Sequence, residues 1–382
     1  MNVTIKPSVL SGTVKAPPSK SYAHRLLICA ALSDRECNVE NVSCSDDIQA
    51  TRDCIEALKS GGRIYNCRES GSTLRFFAPL SVVGGGEAVL CGSERLIGRG
   101  ISEYEAVFSA MGIEIEKHPT DIALRGRLRA GEYTLRGDVS SQFVTGLLLA
   151  LPLLDGDSRL TVLSPVESRS YIDVTLDVLK MFNISVFERE RNVFEIPGAQ
   201  KYRGTDSDVE GDWSNAAFFH ALCAMGAEIK VTGLTTDSIQ GDRRCLEYFR
   251  TLKDANAMID ISDTPDLAPL LMAFAAMNKG GRLTGTKRLR LKESDRAAVM
   301  AEELRKFGAK VIVNDNSVDI IKSRLYAPDK TLSAHNDHRI VMALTLPCLS
   351  LGGTISGAEA VKKSWPEFFE VLLSLGADVS LQ

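Results

Sequence analysis

Six times along this 382-residue chain, a short polar cluster precedes about ten mostly apolar residues and then a glycine or small polar stop, the mark of a repeated supersecondary unit. The clusters are Ser19-Lys20-Ser21, Ser70-Gly71-Ser72-Thr73, Ser140-Ser141-Gln142, Asp212-Trp213-Ser214-Asn215, Thr264-Pro265-Asp266 and Asn336-Asp337-His338-Arg339. The runs behind them are Leu26 to Leu32, Leu74 to Val83, Phe143 to Leu154, Ala216 to Met225, Leu267 to Met277 and Ile340 to Leu351. They are apolar almost all round, so they read as buried helices. Ser, Thr, Asp and Asn satisfy the free N–H groups of a helix's first turn, and the same ends attract phosphate or carboxylate. From the repetition alone, ordinary capping and an assembled anion site are equal readings.

A second set of segments alternates with the first and is amphipathic. Each ends at a residue suited to a left-handed cap: Tyr104 to Met111 before Gly112, Val174 to Phe182 before Asn183, Val299 to Phe307 before Gly308, and Phe368 to Leu375 before Gly376. Short β-branched or alternating stretches follow and predict strands at Ile113-Glu114-Ile115, Ile184-Ser185-Val186 and Lys310 to Val313; Met1 to Lys6 alternates in the same way. Six such units divide into two domains of three, and the polar stretch Gln200 to Glu210 is the candidate crossover.

Composition narrows the function. A formal charge of −4 argues against a nucleic-acid protein, so local basic clusters suit a small anionic ligand better. Nine cysteines with no C-x-x-C pair indicate neither a disulfide framework nor a zinc site and read as reduced thiols. The longest apolar stretches are too short to span a bilayer, and the first residues lack the order of a signal peptide. The expectation is a soluble, cytoplasmic protein without membrane or nucleic-acid partners.

The basic residues sharpen this reading. Lys20 opens one predicted helix and Arg25 follows a turn later; Lys292 and Arg296 are four apart with Glu293 between them; Arg339 opens a nearly uncharged helix. Taken singly, each is more often a surface charge or an ion pair than a ligand contact. Together with Pro18-Ser19-Lys20-Ser21, Ser70 to Arg75, Asp138 to Gln142, Ser168 to Ile172, Pro265-Asp266, Lys292 to Arg296, Asn336 to Arg339 and Lys363 to Pro366, the chain resembles, in order and over essentially its whole length, the shikimate-phosphate branch of the enolpyruvyl transferase family.

The resemblance implies an α+β fold of the α/β prism type with two similar domains, each of three βαβαββ units with buried parallel helices and outer mixed sheets. The domains would be 15–208 and 1–14 with 209–382, with the active site in the cleft between them. It implies reaction of phosphoenolpyruvate with shikimate 3-phosphate to give the enolpyruvyl ether and phosphate, by a monomer with no cofactor and no metal. By the same resemblance Lys20, Gly71, Arg99, Gln142, Arg296, Arg339 and Lys363 would bind phosphoenolpyruvate. Lys20, Ser21, Arg25, Ser140, Ser141, Gln142, Ser168, Tyr171, Asp266 and Lys292 would bind shikimate 3-phosphate, and Lys20, Asp266 and Glu293 would be catalytic.

These residue types suit the chemistry. An enol ether carbon becomes electrophilic when its methylene is protonated, so an acid is needed there while a hydroxyl attacks the neighbouring carbon. Fixed cations then stabilise the charge on departing phosphate. Three positions depart from the commoner family pattern: Glu69 where Asn is frequent, Gly100 where Pro is usual and would aim Arg99 more firmly, and Arg288 where Asn often stands. The sister branch, which uses UDP-N-acetylglucosamine, usually has a reactive cysteine at the position of Glu94, and Cys91 is out of register with it. A non-catalytic anion- or RNA-end-binding relative is the other alternative, but binding alone gains nothing from carboxylates such as Asp266 and Glu293 beside an anion.

Overall fold

Ser19, Ser70, Ser140, Asp212 and Asp337 each stand immediately before a helix in the computed structural model, which describes residues 1–254 and 256–382. Each of these side chains accepts a hydrogen bond from a backbone N–H of the first turn. The fifth cluster is different: Thr264 does not cap, and Pro265–Leu267 form a 3₁₀ turn that runs into the helix behind it. Proline at this entry has no N–H to offer a cap, and its fixed φ suits a first turn.

Packing divides the chain into two compact units, residues 18–210 and residues 1–17 with 211–382. The first contains α1 Lys20–Leu32, α2 Asp46–Lys59, α3 Gly71–Leu80, α4 Glu94–Arg99, α5 Ser102–Ala110, α6 Ser141–Ala150 and α7 Arg169–Met181. One sheet orders Ile64–Asn66, Glu87–Cys91, Asp121–Arg125 and Glu114–Lys117; a second orders Glu132–Arg136, Ser158–Leu163, Val193–Ile196 and Phe187–Glu190. In both, the first pair is parallel and the rest antiparallel. A short parallel pair, Val39–Glu40 with Ser207–Asp208, completes the unit.

The other unit repeats the plan with α8 Trp213–Ala224, α9 Cys245–Asp254, α10 Ala268–Met277, α11 Arg296–Lys306, α12 His338–Leu351 and α13 Phe368–Ser374. Its sheets order Ala257–Asp260, Gly281–Thr284, Ser317–Ile321 and Lys310–Val313, and Leu332–Ser333, Gly353–Ser356, Asn2–Ile5 and Val379–Leu381. The first strand of the chain thus fills the third place of the last repeat, and Ser11–Lys15 pairs in parallel with Glu228–Thr232. That is why residues 1–17 belong with 211–382.

The expected buried helices correspond to α1, α3, α6, α8, α10 and α12, and α10 and α12 bury nearly every side chain. The amphipathic set corresponds to α5, α7, α11 and α13. Asn183 after α7 has φ 58°, the left-handed cap that its sequence position requires. Two further amphipathic helices, α2 and α9, escaped the pattern. In α2 the inward face carries Asp47 and Thr51 among Ile48, Ala50 and Cys54, which obscures its period.

The strand expected at 184–186 lies instead at Phe187–Glu190. The Gln200 side chain accepts from the Ser185 N–H and donates to the Ser185 carbonyl, so these backbone groups are taken up before they can join a ladder. The strand expected from Ile113 begins at Glu114 and runs to Lys117. No helix among the described residues is long and apolar enough to cross a membrane.

One close approach fixes the first unit. A methyl group on Gly146 of α6 would fall inside contact distance of the Tyr104 hydroxyl and the Arg75 carbonyl. Tyr104 donates within reach of both the Arg75 and Phe143 carbonyls, tying α3 to α6 at that point. Gly146→Ala is therefore expected to destabilise the protein by about 2–3 kcal/mol, through forced separation of these helices. Urea denaturation of the variant beside the parent checks this.

Candidate active site

In the unit of residues 18–210 the candidate residues gather at the starts of α1, α3 and α6. Lys20 Nζ lies 2.7 Å from Asp47 Oδ2, and both side chains are largely buried. At α3, a methyl group on Gly71 would lie 3.2 Å from Arg75 Nη1 and from both terminal nitrogens of Arg99. Gln142 on α6 accepts from Arg75 Nη1 at 2.5 Å and donates to Ser72 Oγ at 2.9 Å. The buried Nε of Arg99 has no hydrogen-bond partner among the described residues. A buried donor of this kind, beside a bare glycine and a second guanidinium, fits a small carboxylate or phosphate.

Arg25 has a different setting from the other cations. It donates from Nε to Thr175 Oγ1, from Nη1 to the Ser21 carbonyl, and from Nη2 to Thr145 Oγ1 and the Tyr171 carbonyl. Burial pushes its pKa down to about 10. It therefore binds α1, α6 and α7 together, and Ser21 and Tyr171 are set by its grip. Ser140 caps α6 through Gln142 N–H, with Ser141 buried beside it. Ser168 has a left-handed backbone at φ 56° and is 2 % exposed, a conformation that costs a non-glycine residue about 1 kcal/mol or more.

In the other unit the cluster centres on Arg296, which is 1 % exposed. Its Nη1 donates to Asp266 Oδ1 at 2.7 Å, its Nη2 to Glu293 Oε2 at 2.7 Å, and its Nε to Asp337 Oδ2 at 2.9 Å. Lys292 Nζ reaches the same Asp266 oxygen at 3.1 Å. Arg339 lies 4.0 Å from Asp266 Oδ2 and donates to Asn215 Oδ1 at 3.1 Å, while its buried Nε has no partner among the described residues. Lys363 Nζ donates to the Asn336 carbonyl at 2.8 Å.

Electrostatics follow from this packing. Burial opposes ionisation of Asp266, but attraction to Lys292, Arg296 and Arg339 outweighs it and holds the carboxyl well below its usual range. Burial lowers the pKa of Lys292, reinforced by Arg296 and Arg288 against the pull of Asp266. Asp242, buried and facing Asp266, is pushed up to about 7 by desolvation and that like charge. The cluster thus pairs a carboxylate held ionised with an ammonium that gives up its proton more readily than usual.

The structure groups Gly71, Arg99 and Gln142 in one unit, and Asp266, Lys292, Glu293, Arg296 and Arg339 in the other. It also adds residues that the sequence reading passed over. Asp337 braces Arg296, accepts from Ser294 Oγ at 3.0 Å and caps α12 through the Arg339 N–H. Asp47 braces Lys20, Arg75 braces Gln142, and Asn215, from the fourth polar cluster, braces Arg339. The fourth cluster therefore does more than cap. Asp337 and Asn215 had a visible signal, an acid or amide at a buried helix start, but their partners lie far along the chain.

Two of the departures become intelligible. Gly100 ends α4 at φ 59°, which proline cannot adopt, so the residue after Arg99 makes a left-handed stop in place of a loosened loop. Arg288 is buried and donates to the Ser262 carbonyl at 3.1 Å. Glu302, Glu303 and His335 could gather a cation, but the Lys306 ammonium already sits 2.8 Å from the Glu303 carboxylate.

Comparison with known proteins identifies the family and the fold. A family model described as EPSP synthase (3-phosphoshikimate 1-carboxyvinyltransferase) matches residues 5–64 and 59–372. A 3-phosphoshikimate 1-carboxyvinyltransferase of Clostridium kluyveri is 38% identical over 417 aligned residues, covering 99% of this chain and 98% of the relative. One of Clostridium acetobutylicum is 37% identical over 422, with the same coverages. An EPSP synthase from Acinetobacter baumannii, at 23% identity, superposes over the whole of both chains with a TM-score of 0.79, which shows a shared fold.

The bracing by Asp337 is testable apart from any activity. Asp337 is 0 % exposed and Arg296 1 %, so Asp337→Ala leaves a buried guanidinium short of its charge partner. The loss of unfolding free energy is expected to be about 3–5 kcal/mol. Calorimetric melts of the ligand-free variant measure it.

Proposed function

The chain belongs to the EPSP synthase family, the 3-phosphoshikimate 1-carboxyvinyltransferases of aromatic amino acid biosynthesis, and on that premise we propose how its residues divide the reaction. The enzyme transfers the enolpyruvyl group of phosphoenolpyruvate to the 5-hydroxyl of shikimate 3-phosphate and releases phosphate, a transferase of the shikimate pathway. The observation that carries the assignment of roles is the Arg296 clamp. One guanidinium holds Asp266 and Glu293, the two carboxylates that the chemistry calls for, at 2.7 Å each.

Glu293 delivers a proton to the phosphoenolpyruvate methylene, which makes the adjacent carbon electrophilic, and takes a proton back when phosphate has left. Asp266, held as a carboxylate, orients the attacking hydroxyl. Because its pKa is depressed, Asp266 is a weak final base; the adjacent Lys292, whose pKa is lowered, gives a proton to the departing phosphate and takes the hydroxyl's proton in its place. Arg296, Arg339, Lys363, Lys20, Arg99, the Gly71 peptide and Gln142 supply the fixed charges and donors for the phosphate and carboxylate of phosphoenolpyruvate. Ser140, Ser141, Ser168 and Tyr171, held by Arg25 and the starts of α6 and α7, receive shikimate 3-phosphate, with Ser21, Lys20, Asp266 and Lys292 completing the set.

The enzyme works as a monomer in the cytoplasm. Its nine cysteines are all free, as suits a reducing compartment. No metal or organic cofactor takes part: protonation by Glu293 supplies the activation that a Lewis acid would otherwise provide.

Two outcomes follow. Phosphate release from phosphoenolpyruvate is expected with shikimate 3-phosphate as acceptor and not with UDP-N-acetylglucosamine; the reverse preference would overturn the assignment. Glu293→Gln is expected to bind both substrates while turnover falls by about a hundredfold or more. Steady-state kinetics with a binding titration separate the two effects.

A further inference from the structure

A buried polar chain runs beneath the starts of α1, α2 and α3. His24 Nδ1 lies 2.7 Å from Thr51 Oγ1, which lies 2.7 Å from Thr73 Oγ1, which donates to Ser70 Oγ at 2.8 Å. His24 is 1 % exposed, and Thr51, Thr73 and Ser70 are 0 % exposed. Ser70 also accepts from the Thr73 N–H as the cap of α3.

Proton counting sets the direction of this chain. Thr73 gives its hydroxyl proton to Ser70, so the Thr51–Thr73 contact needs the proton of Thr51. Thr51 then has none left for His24, and the remaining contact requires His24 to donate from Nδ1. The imidazole is thereby held as the Nδ1–H tautomer, with Nε2 unprotonated. Nε2 is buried and has no hydrogen-bond partner among the described residues. Burial, with Lys20 and Arg25 close by, holds the His24 pKa well below the ordinary imidazole range, so the ring stays neutral. It packs edge-on against Phe76 of α3 with centroids 6.2 Å apart, which fixes its plane.

The chain also has a register. Lys20 and His24 are one turn apart on α1, and their partners Asp47 and Thr51 are one turn apart on α2, so the two contacts form parallel rungs. Thr51 then carries the connection to Thr73 and to Ser70, which sets the entry of α3 and the adjacent Gly71 peptide between Arg75 and Arg99. We propose that His24, Thr51 and Thr73 are positioning residues that lock Lys20 and the Gly71 peptide into one arrangement for the phosphoenolpyruvate anion, through a hydrogen-bond chain polarised from His24 to Ser70. The proposal rests on the reading that Lys20 and Gly71 hold phosphoenolpyruvate. Ser140, Ser141, Ser168 and Tyr171 stand on α6, α7 and their entries and not on the helices that the chain joins, so the lock reaches shikimate 3-phosphate only through the shared Lys20 and bears chiefly on phosphoenolpyruvate.

The test joins a spectroscopic and a kinetic measurement on the intact enzyme. In protein carrying ¹⁵N-labelled histidine, with His24 assigned by loss of its signal in His24→Gln, the ring is expected as the Nδ1–H tautomer throughout pH 6 to 8. An Nε2–H tautomer, or titration in that range, would overturn the proposal. Thr51→Val is expected to raise KM for phosphoenolpyruvate about tenfold, with a smaller rise in KM for shikimate 3-phosphate through the shared Lys20 and kcat within about twofold, and Thr51→Ser to restore it. Thr73→Val serves if Thr51→Val does not fold. Lys20→Met is run in parallel. If it raises KM for phosphoenolpyruvate while the threonine variants do not, the lock is wrong. If Lys20→Met leaves that KM unchanged, the placement of phosphoenolpyruvate at Lys20 is what fails, and the tautomer alone then decides whether the polarised chain exists.

Discussion

A helix that is apolar on every side can meet polar chemistry only at its ends, and this constraint shapes both units. In α3, α6, α8, α10 and α12 nearly every side chain is buried, so their first turns must find partners for several backbone N–H groups at whatever precedes them. Ser70, Ser140, Asp212 and Asp337 each meet one such group, and a single cap leaves further donors and the positive end of the helix dipole facing the same space. Capping and anion binding are therefore successive uses of one position. The repeat that builds the core also concentrates polar residues where a small anionic substrate can be held.

The cations at these ends are braced from behind. Arg296 is shared among Asp266, Glu293 and Asp337; Lys20 rests on Asp47; Arg339 rests on Asn215. A buried guanidinium without such partners would cost several kcal/mol, on the order of the whole stability of a domain. Bracing is incomplete by design of the geometry: the buried Nε of Arg99 and of Arg339 lack acceptors among the described residues. Leaving a buried donor unmet costs about 1–3 kcal/mol, and an anionic ligand that meets it recovers that loss on binding. The carboxylates fix where the cations stand, and the unmet donors make the site prefer being filled.

Much of the local structure was legible because it depends on neighbours in sequence. The caps Ser19, Ser70, Ser140, Asp212 and Asp337, the apolar runs, and the left-handed stop at Asn183 are all decided within a turn or two. The motif residues were named as a set through family resemblance, whereas the spacing of Lys292 and Arg296 alone read as an exposed, salt-bridged helix face, and Arg296 is in fact buried. What the sequence hid depends on distant partners. Asn215 lies 124 residues from Arg339, and Asp337 lies 41 from Arg296. The Ser185 backbone was lost to a strand because Gln200 engages it, and α2 was obscured because the two polar residues on its inner face are the ones that serve Lys20 and His24. Pattern reading fails there for a physical reason: a buried polar residue looks like a break in an apolar face until its partner is known.

Backbone strain gathers at the same places and has its own supports. Ser168 is left-handed at φ 56°, and His335 and Asn336 are left-handed in succession at 48° and 54°, just ahead of Asp337. Such conformations cost about 1–3 kcal/mol each and persist only when neighbours over-determine them. Beside Ser168, Arg169 is tied to Asp173, Glu188 and Asn192, which anchors the start of α7 to the hairpin of Phe187–Glu190 and Val193–Ile196. Beside His335, the fully buried Glu303 holds the imidazole at 3.0 Å and the Ser333 N–H at 2.9 Å, while Lys306 balances its charge. The turn so held turns the Asn336 carbonyl toward Lys363 Nζ and presents Asp337 to both Arg296 and the first turn of α12. The ion pairs of Arg169 and Glu303 thus maintain backbone shapes that relaxed loops would abandon, and those shapes set where Ser168, Asn336 and Asp337 stand.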